Sequence, residues 1–173
     1  MTTTTTQKKN KSLVKKPITE STVLERALRI LAVRAHSKKE LCLKLKKAFQ
    51  SVPVSWLDRV LSRLEELGYI NEEELSEKIV KHIVLEKQRG MPFVMNKLRT
   101  LEIPEKYWAK AQALAEDFLC EAVGKFVDKQ LRTLPDGMSL FQKNKKIMER
   151  GLRRGFSASD IMKLLTSVPF ETA

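Results

Sequence analysis

The chain has 173 residues, 42% of them hydrophobic, with no apolar run near the roughly 18 residues of a membrane span and no signal-like N-terminus, so a folded cytoplasmic protein is expected, with no membrane contact. Its net charge of +12 is uneven: residues 1–50 hold 13 Lys and Arg against 3 Asp and Glu, residues 51–138 hold 13 against 15, and residues 139–173 hold 7 against 3. Two basic ends around a near-neutral middle point to a polyanionic partner, nucleic acid or an acidic protein assembly.

Residues 1–20 are rich in Thr, Lys and Asn and read as a disordered basic tail. Helical periodicity then takes over, and the expected fold class is all-α. Leu24, Ala27, Leu28, Leu31 and Ala35 mark one stripe of a first helix, over about 22–35. His36 and Ser37 interrupt it, and Ser37 with Glu40 three residues on makes a capping box that opens a second helix over 38–49. There Leu41, Leu45, Ala48 and Phe49 point inward, and Lys39, Lys46 and Lys47 form a cationic face that also holds Leu43. A third helix, expected from Ser55 as its cap, buries Leu57, Val60, Leu61, Leu64 and Leu67 and stops at Gly68. These three helices make a first module, residues 21–70.

Asn71, with Glu74 at the third position, caps the next helix, which carries Leu75, Ile79, a half-buried His82 and Ile83 to about Gln88. Met91-Pro92 and Pro104 each open a further helix, because proline in a first turn gives up no hydrogen bond. A break or bend is expected near Glu116-Asp117, dividing a second module, 71–117, from a third, 118–173. The third takes Leu119–Leu134, then Leu140–Arg153 after a Pro-Asp-Gly turn, then a helix capped by Ser157. Gly155-Phe156-Ser157 echoes Gly68-Tyr69-Ile70-Asn71: a glycine stop, an aromatic plug and a capped start. Units this small leave part of their faces uncovered unless they stack on their neighbours, so an elongated array of three tandem three-helix units is expected, with a monomer as its state.

Catalytic signatures are missing. The chain has two histidines, His36 at a helical corner and His82 in a helix, and no phosphate loop, dinucleotide fingerprint, metalloprotease helix or nucleophile elbow. Cys42 and Cys120 sit apart in helical patterns, as buried free thiols, and no metal or other cofactor is expected. Glu72-Glu73-Glu74 is the usual response of a first helical turn to the helix dipole. The run KNKKIMERGLRRGF is different. Ile147, Met148 and Leu152 hold its inner side, while Lys143, Lys145, Lys146, Arg150, Arg153 and Arg154 crowd the rest against Glu149 alone. The dipole accounts for Arg153 and Arg154 but not for Lys143–Lys146, so an anionic partner is expected there.

RALRILAVRAHSKKELCLKL (Arg26–Leu45), LEELGYINEEEL (Leu64–Leu75), RGMPFVMNKLRTLEI (Arg89–Ile103) and KNKKIMERGLRRGFSASDI (Lys143–Ile161) together resemble the RecX family of bacterial recombinase regulators, over about residues 22–167. The resemblance implies a non-enzymatic protein that binds the RecA filament on single-stranded DNA, contacts that DNA in some members, and restrains recombinase and ATPase activity. The central segment departs from the family pattern at Met91, Phe93 and Glu102, where Pro, Arg and Gly are usual. The expected contacts therefore lie at the two basic ends: Arg34, Lys38, Lys39, Lys46 and Lys47 at one, and Lys143, Lys145, Lys146, Arg150, Arg153 and Arg154 at the other. Capped helix pairs also build helix-turn-helix DNA readers, which is the alternative. Against it, the helix from Lys38 offers lysines, which suit phosphates, rather than the Asn, Gln or Arg that read bases.

Overall fold

The computed structural model describes residues 17–167, so most of the expected basic tail lies outside the described residues. The described residues form eight α-helices and no strand: α1 Glu20–Val33, α2 Lys38–Ala48, α3 Val54–Glu66, α4 Glu72–Lys81, α5 Met91–Thr100, α6 Trp108–Thr133, α7 Leu140–Arg153 and α8 Ala158–Ser167. A π-helical turn, His82–Glu86, extends α4, and a 3-10 turn, Glu105–Tyr107, precedes α6.

Helices α1, α2 and α3 close around Val23, Ala27, Leu41, Leu45, Leu57, Leu61 and Leu64, with Ile70 as the lid. Ser37 caps α2 as expected, its hydroxyl accepting the Glu40 N–H at 3.2 Å. Helix α1 is capped by Thr19 and starts at Glu20, two residues before the expected start. The helix ends at Val33, so Ala35 falls outside it and is exposed. Helix α3 starts one residue before Ser55, with Pro53 at the cap and no side-chain cap bond. Gly68 adopts φ +75, and the N–H groups of Tyr69 and Ile70 return to the Leu64 carbonyl. At this turn Ile70 is the plug: Tyr69 is 56% exposed, as is Leu67 at 52%, against expectation. At the matching turn Gly155 has φ +79 and Phe156 is buried as expected.

Helices α4 to α8 share one continuous apolar core that runs from Leu75 to Leu165. Its axis is α6, an unbroken helix of 26 residues, so the expected break near Glu116-Asp117 is absent. Ala111, Ala115, Ala122, Val123, Phe126 and Val127 keep one buried stripe in register through that point, and nothing in Glu116-Asp117 removes a backbone bond. The first half of α6 lies against α4, where Lys110 bridges Glu73 and Glu77 at 2.6 and 2.8 Å. Those two carboxylates raise the Lys110 pKa. The second half meets α7 and α8: Phe126 packs on Phe156, and a Cβ on Gly151 would touch Phe126 and Ile161. Cys42 is partly covered, but Cys120 is exposed rather than buried, because it lies off the α6 stripe. His82 is likewise exposed. It lies off the stripe that Ile79, Val80 and Val84 bury, and its Nδ1–H donates to Glu86 at 2.6 Å.

Candidate polyanion-binding surface

Helix α7 begins with a reciprocal capping box between Ser139 and Gln142 and buries Ile147 and Gly151 against α6 and α8. That fixes which way its cations face. Lys145, Lys146 and Arg153 are exposed, and Lys143, Arg150 and Arg154 are partly covered. None of the six makes an ion pair with a carboxylate of the described residues. Their partners are neutral. Arg150 donates to the Oε1 of buried Gln130 at 2.6 Å, and Lys146 Nζ lies 3.6 Å from Met138 Sδ. Arg154 donates to the carbonyls of Lys87 and Gln88 at 3.0 and 3.3 Å, with its guanidinium 5.4 Å from the Phe126 ring centroid. A guanidinium held by amide oxygens is fixed in place yet keeps its full charge, whereas one held by a carboxylate is cancelled at close range. Arg150, Arg153 and Arg154 thus line an open cleft of about 370 Å³ floored by Phe126 and Gln130.

Two exposed apolar side chains join this surface. Leu152, expected to face inward, is 50% exposed, and Phe141 is 78% exposed, one turn before Lys145. Periodicity could not single out Phe141, since it precedes half-buried Met148 by seven residues and reads as part of the same inner stripe.

The central segment contributes more than its departures from the family pattern promised. Arg154 ties α7 to the turn after α4, and the Gly90 N–H donates to the Arg154 carbonyl at 2.8 Å. Phe93 packs beside Gly155. Its outer face carries the Arg89 guanidinium, 4.5 Å from the ring centroid. Lys87, Arg89, Phe93 and Lys97 line a neighbouring groove of about 420 Å³. Lys87, Arg89 and Lys97 were invisible as a site in the sequence because they are scattered over eleven positions. Only the contact between the two turns brings them beside the α7 cluster.

The other basic end is largely spent. Arg34 grips Glu40 with two nitrogens, at 3.2 and 3.1 Å. Partial burial of Glu40 acts to raise its pKa, but the bond to Arg34 and that group's charge outweigh it and hold the carboxyl below its ordinary range. Lys38 pairs with Glu65 at 2.7 Å and Lys39 with Glu102 at 2.6 Å. Glu102 sits at φ +52, a conformation that glycine takes freely, so the departure from glycine exchanges backbone ease for an ion pair to α2. Lys46 and Lys47, exposed in the last turn of α2, have no such partner among the described residues. Of the eleven expected contact residues, the structure therefore groups six on and after α7 and leaves two of the other five unpaired.

No family model matches the chain. It is 32% identical over 139 residues to the regulatory protein RecX of Chlorobaculum tepidum, covering 79% of this chain and 82% of that one. Its fold resembles that of the RecX crystal structure from Lactobacillus salivarius, with a TM-score of 0.74 at 20% identity over 86% of this chain and 96% of the other. It also resembles a second crystal structure of the regulatory protein RecX, with a TM-score of 0.72 at 17% identity over 86% of this chain and 73% of that one. No described helix is long and apolar enough to cross a membrane. An all-helical chain that matches one such regulator in sequence over most of both lengths belongs to the RecX family of regulatory proteins.

Proposed function

We propose that this protein binds the RecA filament on single-stranded DNA and, without catalysing a reaction itself, slows the filament's ATP hydrolysis and strand exchange. The observation that carries this reading is the set of six cations on and after α7, none paired with a carboxylate of the described residues, of which Lys146, Arg150 and Arg154 are held by neutral groups, joined by Lys87, Arg89 and Lys97 across the α4–α5 turn. Phosphates take the charge, and exposed Phe141 offers a ring for an unstacked base. The helices form an elongated row of three three-helix units, 21–70, 71–117 and 118–173, with α6 shared by the last two. The protein acts as a monomer in the cytoplasm. Lys46 and Lys47 supply a weaker second contact, while Arg34, Lys38 and Lys39 serve the fold. The helix-turn-helix alternative is disfavoured because Lys38 and Lys39, at the start of α2, already engage Glu65 and Glu102.

A titration of RecA's DNA-stimulated ATPase at low salt tests the proposal. Inhibition at substoichiometric amounts is expected, with no ATP hydrolysis by the protein alone. Lys143→Glu/Lys145→Glu/Arg153→Glu should abolish it, and Arg34→Ala should leave it intact once folding is verified. Undiminished inhibition by the triple variant would overturn the assignment of the surface.

A further inference from the structure

A separate pocket lies at the corner of α1 and α2, built by residues the α7 surface does not use. It is a hollow of about 230 Å³ whose walls include Arg26, Arg29, Arg34 and Lys44, with Ile30, Val33 and His36 completing the lining. Three features separate it from an ordinary charged corner. Val33, the last residue of α1, is 84% exposed, more than any other exposed large apolar side chain of the described residues. Arg26 and Lys44 are exposed and make no ion pair among the described residues, whereas Arg29 pairs with Glu25 and Arg34 with Glu40. His36 is 3% exposed, and its Nδ1–H donates to the Arg34 carbonyl at 2.8 Å, so Nε2 is left buried with no hydrogen-bond partner.

The chemistry of the lining selects among anions. Cations alone would serve phosphates, but a nucleic acid offers little to cover an exposed branched aliphatic side chain, and this pocket has no ring beyond His36 on which a base could stack. It combines free cations with an aliphatic patch. That combination matches an acidic peptide in which a branched apolar side chain lies between carboxylates.

We propose that the α1–α2 corner is a docking site for an acidic segment of a partner protein, whose carboxylates pair with Arg26 and Lys44 while an aliphatic residue covers Val33 and Ile30. The site acts apart from the α7 surface and does not depend on that surface's assignment.

The test is fluorescence anisotropy of the full chain with a labelled peptide of alternating Glu and Leu at low salt. Saturable binding is expected, and a Gln-for-Glu peptide should fail to bind. Arg26→Glu/Lys44→Glu, at two exposed positions, should weaken binding by about tenfold or more with an unchanged thermal melt. Val33→Asp should weaken it comparably without touching a cation, whereas Lys143→Glu/Lys145→Glu should stay within about twofold of the parent. The proposal is overturned if the peptide does not saturate, if either corner variant binds as the parent does, if the α7 variant abolishes binding, or if oligothymidylate displaces the peptide as effectively as unlabelled peptide.

Discussion

Gly90→Ala isolates the contact that assembles the candidate surface. Gly90 sits at φ −79, ψ 179, a conformation alanine adopts without strain, so any cost comes from the added methyl alone. That methyl would lie 1.8 Å from the Gly155 carbonyl oxygen and 2.4 Å from its carbon. Both atoms are backbone in a turn held at φ +79, so no side chain can swing away. The turns must part by more than 1 Å to reach ordinary contact, and two links stretch with them: the Gly90 N–H bond to the Arg154 carbonyl, and the Arg154 Nη1 bond shared between the carbonyls of Lys87 and Gln88. Overpacking of this kind costs about 1–3 kcal/mol, and loosening one neutral and one charged hydrogen bond adds about 1–3 more. A total of about 2–6 kcal/mol corresponds to a melting point roughly 5–20 °C lower for a chain of this size. Gly124→Ala is the matched control. It lies inside α6 with nothing within 4 Å of the new methyl, and should stabilise by about 0.5–1 kcal/mol. Thermal and urea unfolding followed by circular dichroism read both. A Gly90→Ala protein that melts within about 2 °C of the parent refutes the claimed interlock.

Arg154→Ala should cost about 1–2 kcal/mol in urea unfolding, because it removes charged bonds to two carbonyls, whereas exposed Lys145→Ala should stay within about 0.5 kcal/mol; equal effects would contradict the positioning role given to Arg154. Lys39→Ala should lose no more than about 1 kcal/mol, and the loss should shrink in high salt, since both members of the pair with Glu102 are partly solvated; a salt-independent loss would point to packing instead. Burial first, then the charges of Arg34 and Lys44, hold His36 below its ordinary pKa of 6.5, against the opposing effects of its bond to the Arg34 carbonyl and of Glu40. The unfolded chain therefore takes up the proton first, and stability should fall as pH drops through about 6.5 and level off below the folded pKa. His36→Asn should remove that slope while leaving the lower window, where Glu20, Glu40 and Glu77 are held below 4.5; parallel melting curves from pH 5 to 7.5 would reject the assignment.

The fold was legible wherever a local rule was strong. Ser37, Asn71 and Ser157 each cap a helix with a donor three residues on, and Gly68 and Gly155 take the left-handed conformation that ends one. Single periodic stripes misled where a helix is covered from one direction only. Leu67 and Leu152 sit near helix ends and are exposed, and His82 lies off the narrower stripe that Ile79, Val80 and Val84 bury. The break expected near Glu116-Asp117 failed for a different reason: two acidic residues are no obstacle to a helix whose buried stripe continues on both sides. The site was half legible. A run of cations shows in sequence, but whether each has an acidic neighbour depends on residues as distant as Glu102 from Lys39 or Gln130 from Arg150.

That dependence is what distinguishes two ends of similar composition. Three of the five cations expected at α1–α2 have a carboxylate within 3.2 Å, where most of the Coulomb field cancels before it reaches a Debye length into solvent. Near α7 the arginines are ordered by carbonyls, an amide and a ring, which add dipoles but no opposite charge. Mutual repulsion among them is a standing cost to the folded state, and an anion placed against them removes it. A carboxylate at the position of Gln130 would cancel the charge of Arg150 in place. Gln130→Glu gives Arg150 that partner at a site 9% exposed, where desolvation of the new carboxylate offsets most of the pairing, so the melting point should move by less than about 5 °C while attraction of a polyanion weakens. If Gln130→Glu instead bound single-stranded oligonucleotide as tightly as the parent, with the same salt dependence, the charge left open near α7 would not be the source of the affinity.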